Sequence, residues 1–227
     1  MRQITENAWL LALGNANAVL LRQDNELTLV DAGFPGKQQV VLDAIASLGK
    51  RPSDLRHLVF THGHPDHIGS AAALVRMTGA RTYMHAIDAP LAEGGGPFRP
   101  MTPGRGLMQK IGFRFFWNPA ERMEPFGIDQ HIADGETLQC AGGLQAVHVP
   151  GHCAGQLAFL WQGSRLLIAG DVFTNLLGLG DPVGFEDQKE GRRSQRKLAG
   201  LTFDAAVFGH GKAITRDAVI RFQRAIA

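Results

Sequence analysis

The sequence predicts an α/β layered sandwich, two β-sheets face to face with helices outside. Two observations predict it. Short apolar runs with strand character come in clusters, each cluster gives way to a helical pattern, and that order occurs twice. The chain of 227 residues is 44% hydrophobic and 19% charged, which suits a single large domain with a real core.

The elements follow in order. Residues 9–13, 18–22 and 27–30 read as three strands, with Asp24-Asn25 as the turn between the last two. Asp31-Ala32-Gly33-Phe34-Pro35-Gly36 then reads as a loop, because two glycines and a proline punctuate it. Residues 40–48 form an amphipathic helix ended by Gly49. A buried strand at 58–60 precedes a helix that begins near Ile68, and 81–84 is a further strand before a short helix at 87–93. Segment 94–127 breaks the rhythm with three consecutive glycines, several prolines and a run of Phe113, Phe115, Phe116 and Trp117. It is too apolar for a linker and too rich in proline for one regular element. It reads as a cap over a site, with helix around 106–112, or else as an ordinary packed insertion. Strands return at 130–133, 144–149, 157–161 and 166–169, followed by a helix at 188–201, a strand at 205–208 and a last helix at 215–226.

Chemistry concentrates after the strand at 58–60. His62, His64, Asp66 and His67 fall within six residues. Neutral imidazole and carboxylate are the ligands that zinc and related first-row metals take. In an extended segment residues i, i+2 and i+4 point one way, so His62, His64 and Asp66 are expected to converge. Pro65 biases His64 away from helix. Asp66, near a helix start, also fits as a plain helix cap. Three later stretches place a potential ligand just past a strand: His152 in Pro150-Gly151-His152, Asp171 in Gly170-Asp171, and His210 in Gly209-His210-Gly211. A lone histidine in such a place is more often structural, but four such stretches in one chain point together to a metal site.

Other residues read more plainly. His57 lies at the surface or supports the site, and His85, His131 and His148 are structural. Two cysteines, Cys140 and Cys153, give no disulfide framework, and Cys153 reads as a buried free thiol. A net charge of +2 gives no reason to expect nucleic acid as a partner. The basic run 192–197 reads as a solvated helix face, with anionic-ligand binding as the other reading. No apolar run approaches the ~20 residues of a membrane span, and the N-terminus makes a poor signal peptide, so a cytoplasmic location is expected.

The residues also carry a resemblance. His62-Gly63-His64-Pro65-Asp66-His67, Pro150-Gly151-His152, Gly170-Asp171 and Gly209-His210-Gly211 look like the motif series of the metallo-β-lactamase superfamily, and Val30-Asp31-Ala32-Gly33 looks like its opening aspartate loop. The resemblance implies the family's four-layer αββα sandwich. It also implies two divalent metal ions per chain, zinc first, with iron or manganese as alternatives. By position, His62, His64 and His152 would hold one ion. Asp66, His67 and His210 would hold the other, Asp171 would bridge, and Asp31 would orient a ligand histidine. A hydroxide shared by two such metals would attack a carbonyl or phosphorus centre, with Asp66 steering the proton.

Asp171 separates the chain from true β-lactamases, which usually carry Cys or Ser there, and is similar to the branch with glyoxalase II and the acyl-homoserine lactonases. Two departures stand against either substrate. Seventeen residues follow His210, where glyoxalase II has a helical glutathione-binding region, and Val172-Phe173-Thr174 follows Asp171, where the lactonases have a tyrosine. The expected function is hydrolysis of an ester, thioester or lactone with an apolar acyl or ring group. The alternatives are an iron-dependent oxidoreductase like the persulfide dioxygenases, and a phosphodiesterase or nuclease.

Overall fold

The structure, a computed structural model, describes residues 1–226, with Phe116 described by its backbone alone. The first half holds β1 (Arg2–Thr5), β2 (Ala8–Ala12), β3 (Asn17–Gln23), β4 (Glu26–Val30), α1 (Gln38–Ser47), β5 (Leu55–Val59), α2 (Pro65–Ile68), α3 (Ala71–Thr78), β6 (Arg81–His85) and α4 (Ala89–Gly94). The 94–127 segment contributes β7 (Thr102–Pro103) and α5 (Leu107–Phe116). The second half holds β8 (Gln130–Ile132), β9 (Thr137–Leu138), β10 (Leu144–His148), β11 (Leu157–Trp161), β12 (Leu166–Ile168), β13 (Thr174–Asn175), β14 (Leu179–Gly180), β15 (Gly184–Phe185), α6 (Gln188–Ala199), β16 (Ala205–Val207) and α7 (Ala218–Ile226).

The main strands form a seven-stranded sheet, ordered β1-β2-β3-β4-β5-β6-β8, and a five-stranded sheet, ordered β16-β12-β11-β10-β9. Side-chain alternation explains why the two stack. In β3, Val19 and Leu21 face the layer between the sheets, while Ala18 and Leu20 face the layer under α1 and α3. In β12, Leu166 and Ile168 face the same inner layer, while Leu167 packs with Leu198 of α6 and Phe222 of α7. Each central strand is buried on both faces, so it reads as a continuous apolar run. The result is the expected αββα sandwich.

Boundaries differ from the sequence expectation where local chemistry intervenes. The edge strand β1 is an addition to it, because Arg2-Gln3-Ile4-Thr5 is polar and half exposed. α4 starts at Ala89 because Pro90 suits a first helical turn. α7 starts at Ala218, since Asp217 sits at φ +54 and cannot extend the helix backwards. α6 begins where the Asp187 carboxylate accepts from the backbone N–H of Lys189 and Glu190, at 2.8 and 3.0 Å. On α6, Arg192 pairs with Asp181, Arg193 with Glu190 and Lys197 with Asp134, which supports the solvated-face reading. No described helix is long and apolar enough to cross a membrane.

β4, β5 and β6 run parallel, as do β12 and β16. The loops that leave the carboxyl ends of β4, β5, β12 and β16 carry Asp31, His62, Asp171 and His210. Carboxyl ends of parallel strands are where α/β sheets leave a crevice for ligands.

Candidate metal centre

Asp31 leaves β4 at φ +63, a left-handed conformation that costs energy for any residue with a side chain. That turn aims its carboxylate at β5 and α2. Oδ1 accepts from Thr61 N at 2.8 Å, and Oδ2 accepts from Thr61 Oγ1 at 2.8 Å and His67 Nδ1 at 2.9 Å. A hydroxyl has one proton to give. Thr61 gives it to Asp31, so at 3.0 Å it accepts from His62 Nδ1. One carboxylate thereby assigns the tautomer of two histidines and leaves Nε2 of each facing the centre.

The sequence reading of His62, His64 and Asp66 as one convergent set is corrected. Pro65 opens the short helix α2, and His64 stays extended at φ −81, ψ 151. A helix turns about 100° per residue, so Asp66 leaves the line of the two histidines. His62 and His64 meet His152 instead, while Asp66 groups with His67 and His210. Asp66 is not a helix cap either, since its Oδ2 lies 3.1 Å from His210 Nε2.

The second sheet supplies the rest. His152 Nδ1 donates to Gly184 O at 2.8 Å, which turns Nε2 inward, 3.1 Å from His64 Nδ1. His210 Nδ1 donates to Asn15 O at 2.8 Å, and its Nε2 lies 3.1 Å from Asp171 Oδ2. Asp171 sits between the two groups: Oδ2 is 3.6 Å from His152 Nε2, and Oδ1 is 3.6 Å from His67 Nε2. Gly209 is needed beside it, because a Cβ there would overlap both Asp171 Oδ1 and His67 Cε1. All seven residues expected at the site are therefore brought together.

Burial pushes His62 and His64 well below the ordinary imidazole pKa, with neighbouring histidines adding to the effect. Burial opposes charge on His67 too, but Asp66, Asp171 and Asp31 together hold it up at about 9. His210 is likewise held well above its usual value, by Asp171 and Asp66 against the cost of burial. Burial would raise Asp66 and Asp171; the histidines keep both well below the usual carboxylate range.

Does this set fit metal ions? Nε2 of His62 and His67, and Oδ1 of Asp171, are buried without a hydrogen-bond partner among the described residues, and His64 turns Nδ1 toward His152. Such atoms cost roughly 1–3 kcal/mol each unless something satisfies them. Two nitrogens on one tetrahedral zinc, at Zn–N 2.0–2.1 Å, lie about 3.3 Å apart, close to the observed His64–His152 spacing. The carboxylates that draw protons onto His67 and His210 would equally draw a divalent cation and release those protons. The residues fit.

A supporting layer escapes the sequence reading. Asp88 is fully buried after β6 and accepts from Gly63 N at 3.1 Å and Gly155 N at 2.9 Å, so it ties the His64 loop to the His152 loop. Arg99, from the 94–127 segment, pairs with Asp88 and with Glu186, the latter at 2.9 Å. Cys153 Sγ donates to Asp88 Oδ2 at 3.0 Å, and burial pushes this thiol up, as do Asp88 and Glu186. His64, Cys153 and Glu186 cluster closely enough for a metal. Cys153 and Glu186 are nonetheless taken up in this network, so the cluster reads as support. No sequence spacing links Asp88 to Arg99; only the fold does. His85 and His148 stack 4.3 Å apart, and His148 Nε2 donates to Ala154 O, so both lie behind the site as structural residues.

Above the centre opens a cleft of about 540 Å3. Phe34, Met101, Phe113 and Trp117 give it apolar walls, and the Trp117 ring meets the His64 ring edge-on at 5.2 Å. The expected aromatic wall is thus half right. Phe113 and Trp117 line the cleft, whereas Phe115, two residues from each and so on another helix face, is 76% exposed. The Phe116 side chain lies outside the described residues.

A family model described as the metallo-beta-lactamase superfamily matches residues 11–210. The Bacillus subtilis protein described as "Uncharacterized protein YobT" is 31% identical over 235 aligned positions, covering 95% of this chain and 91% of that one. "Probable metallo-hydrolase YflN" of the same organism is 24% identical over 209, covering 85% and 78%. Among solved structures, a metallo-beta-lactamase family protein of Thermus thermophilus matches with a TM-score of 0.72 at 24% identity, over 98% of this chain and 79% of that one, a likeness of fold.

Proposed function

This chain belongs to the metallo-β-lactamase superfamily, and from that premise we propose a metal-dependent hydrolase whose dinuclear site cleaves an ester, thioester or lactone with an apolar acyl or ring group. The observation that carries the reading is the set of buried, unpartnered ligand atoms in two groups, with Asp171 between them. His62, His64 and His152 would hold one ion and Asp66, His67 and His210 the other, with Asp171 placed between the two groups. Zinc suits the nitrogen-rich set, with iron or manganese as alternatives. Ions bound there would supply Lewis acidity, which makes a water easier to deprotonate and polarises a substrate oxygen.

The chain's own residues do the rest. Asp31 and Thr61 hold His62 and His67 in one tautomer, so no reorganisation is needed during the reaction. Asp66, with its side chain 23% exposed at the cleft, is placed to carry a proton on its carboxylate toward the leaving group. The 94–127 segment acts as a cap whose Phe113 and Trp117 exclude water and hold the apolar group. Asp171 favours the branch with glyoxalase II and the lactonases. No Lys or Arg lines the cleft among the described residues, which counts against a phosphodiester.

A graded series of acyl chain lengths tests the cap. Wild type should prefer long, apolar esters. Trp117→Ala and Phe113→Ala should each raise KM for them, and losing contacts worth ~1–3 kcal/mol lowers kcat/KM about 5- to 150-fold. Because Trp117 packs on His64, metal content is measured alongside. No chain-length preference, or metal loss in both variants, would mean that the aromatic residues are packing alone.

A further inference from the structure

Three carboxylates line the cleft: Asp66, Asp171 and Glu121. The first two are engaged with the histidines. Glu121 forms no side-chain hydrogen bond or ion pair among the described residues, and no Lys or Arg is in the cleft lining; the neighbouring Arg122 guanidinium donates instead to the backbone carbonyls of Ala120 and Glu121, at 3.0 and 3.1 Å. The backbone around it is pinned. Glu121 N donates to Asn118 O at 3.1 Å, Ala120 N donates to Asn118 Oδ1 at 3.2 Å, and Phe98 N donates to Pro119 O at 3.1 Å. Burial raises its carboxyl pKa, and the negative charge of Asp66 adds to that, so the group is partly withdrawn from water. Phe113 and Trp117 stand in the same lining, one helical turn apart, with ring centres 6.2 Å apart and planes inclined by 26°.

A carboxylate with no side-chain partner, sharing one cleft lining with two aromatic rings and with no Lys or Arg in that lining among the described residues, is the chemistry that recognises a positively charged nitrogen. The carboxylate supplies the charge, and the ring faces attract an ammonium within about 6 Å of their centres. The same wall repels a carboxylate or phosphate. We infer that the Glu121 side of the cleft is a subsite for a cationic nitrogen, so that the preferred substrate is an ester or thioester whose apolar part also carries an ammonium group, with Glu121 supplying the charge and Phe113 and Trp117 meeting both the apolar part and the ammonium. This rests on the hydrolase reading for the word "substrate"; the subsite itself stands on the lining.

Two arms separate the claims. The first needs no turnover. Isothermal titration of the metal-loaded protein with phenyltrimethylammonium should show binding, and Glu121→Gln should weaken it about 10-fold. The second compares choline esters with the matching 3,3-dimethylbutyl esters, which replace the charged nitrogen by carbon. The kcat/KM ratio, charged over neutral, should be about 10 or more in wild type and fall toward 1 in Glu121→Gln at equal metal content. If neither ester is cleaved while ammonium binding still depends on Glu121, the hydrolase reading fails and the subsite stands. If both esters are cleaved alike and Glu121→Gln changes neither ratio nor binding, the subsite is wrong and the hydrolase reading stands. Rapid cleavage of an anionic ester in preference to both would also overturn it.

Discussion

Replacing Asp171 by alanine should lower kcat about 1000-fold or more and remove at least one metal ion, while the fold survives. Its two oxygens lie within reach of His67, His152 and His210, from both ligand groups. Losing the shared carboxylate removes charge stabilisation of several kcal/mol, and each 1.36 kcal/mol is a factor of ten in rate. The fold should tolerate the change because the loop is held by its backbone. With the Gln156 amide oriented so that its oxygen accepts, that oxygen bonds Asp171 N and Val172 N at 2.9 Å. Circular dichroism, metal content and kcat on one preparation check all three parts. Near-wild-type turnover in this variant would remove the dinuclear mechanism.

His62→Ala and His210→Ala should each cost about one ion per chain, but not the same ion. His62 sits with His64 and His152 in the fully buried group, whereas His210 joins Asp66 and His67 at the open side. Activity should fall by two to three orders of magnitude in either, roughly the loss seen when one group that stabilises transition-state charge is removed. Reloading with a spectroscopically visible ion such as Co2+ would tell the two vacated sites apart, since the surviving ligand sets differ in nitrogen and oxygen content. Full metal content in both variants would show that the ligand assignment is wrong.

Much of this site is legible in the sequence, and the reasons are local. His62, His64, His152, Asp171 and His210 each follow a strand and lie next to glycine or proline, a pattern that survives without any tertiary information. The double-sided burial of β3 and β12 likewise shows in their unbroken apolar runs. Orientation and support are less legible. Pro65 keeps His64 extended as expected, but it also opens a helix, so the extended spacing does not reach Asp66, which joins the other ligand group. Asp88 and Arg99 carry no signal in sequence, because they meet only when the 94–127 segment folds back over α4. The aromatic run 113–117 reads as one cluster in sequence, but a helix distributes consecutive residues around its axis, so Phe115 ends in solvent.

Two ions in one site built from four strand ends are tested most directly by counting metal in wild-type protein purified without added metal. Elemental analysis is run on a sample of known concentration and measured esterase activity. About two zinc ions per chain are predicted, with activity lost to a chelator and restored in proportion as the second ion returns. One iron per chain, with no esterase activity after zinc is supplied in excess, would contradict the dinuclear hydrolase.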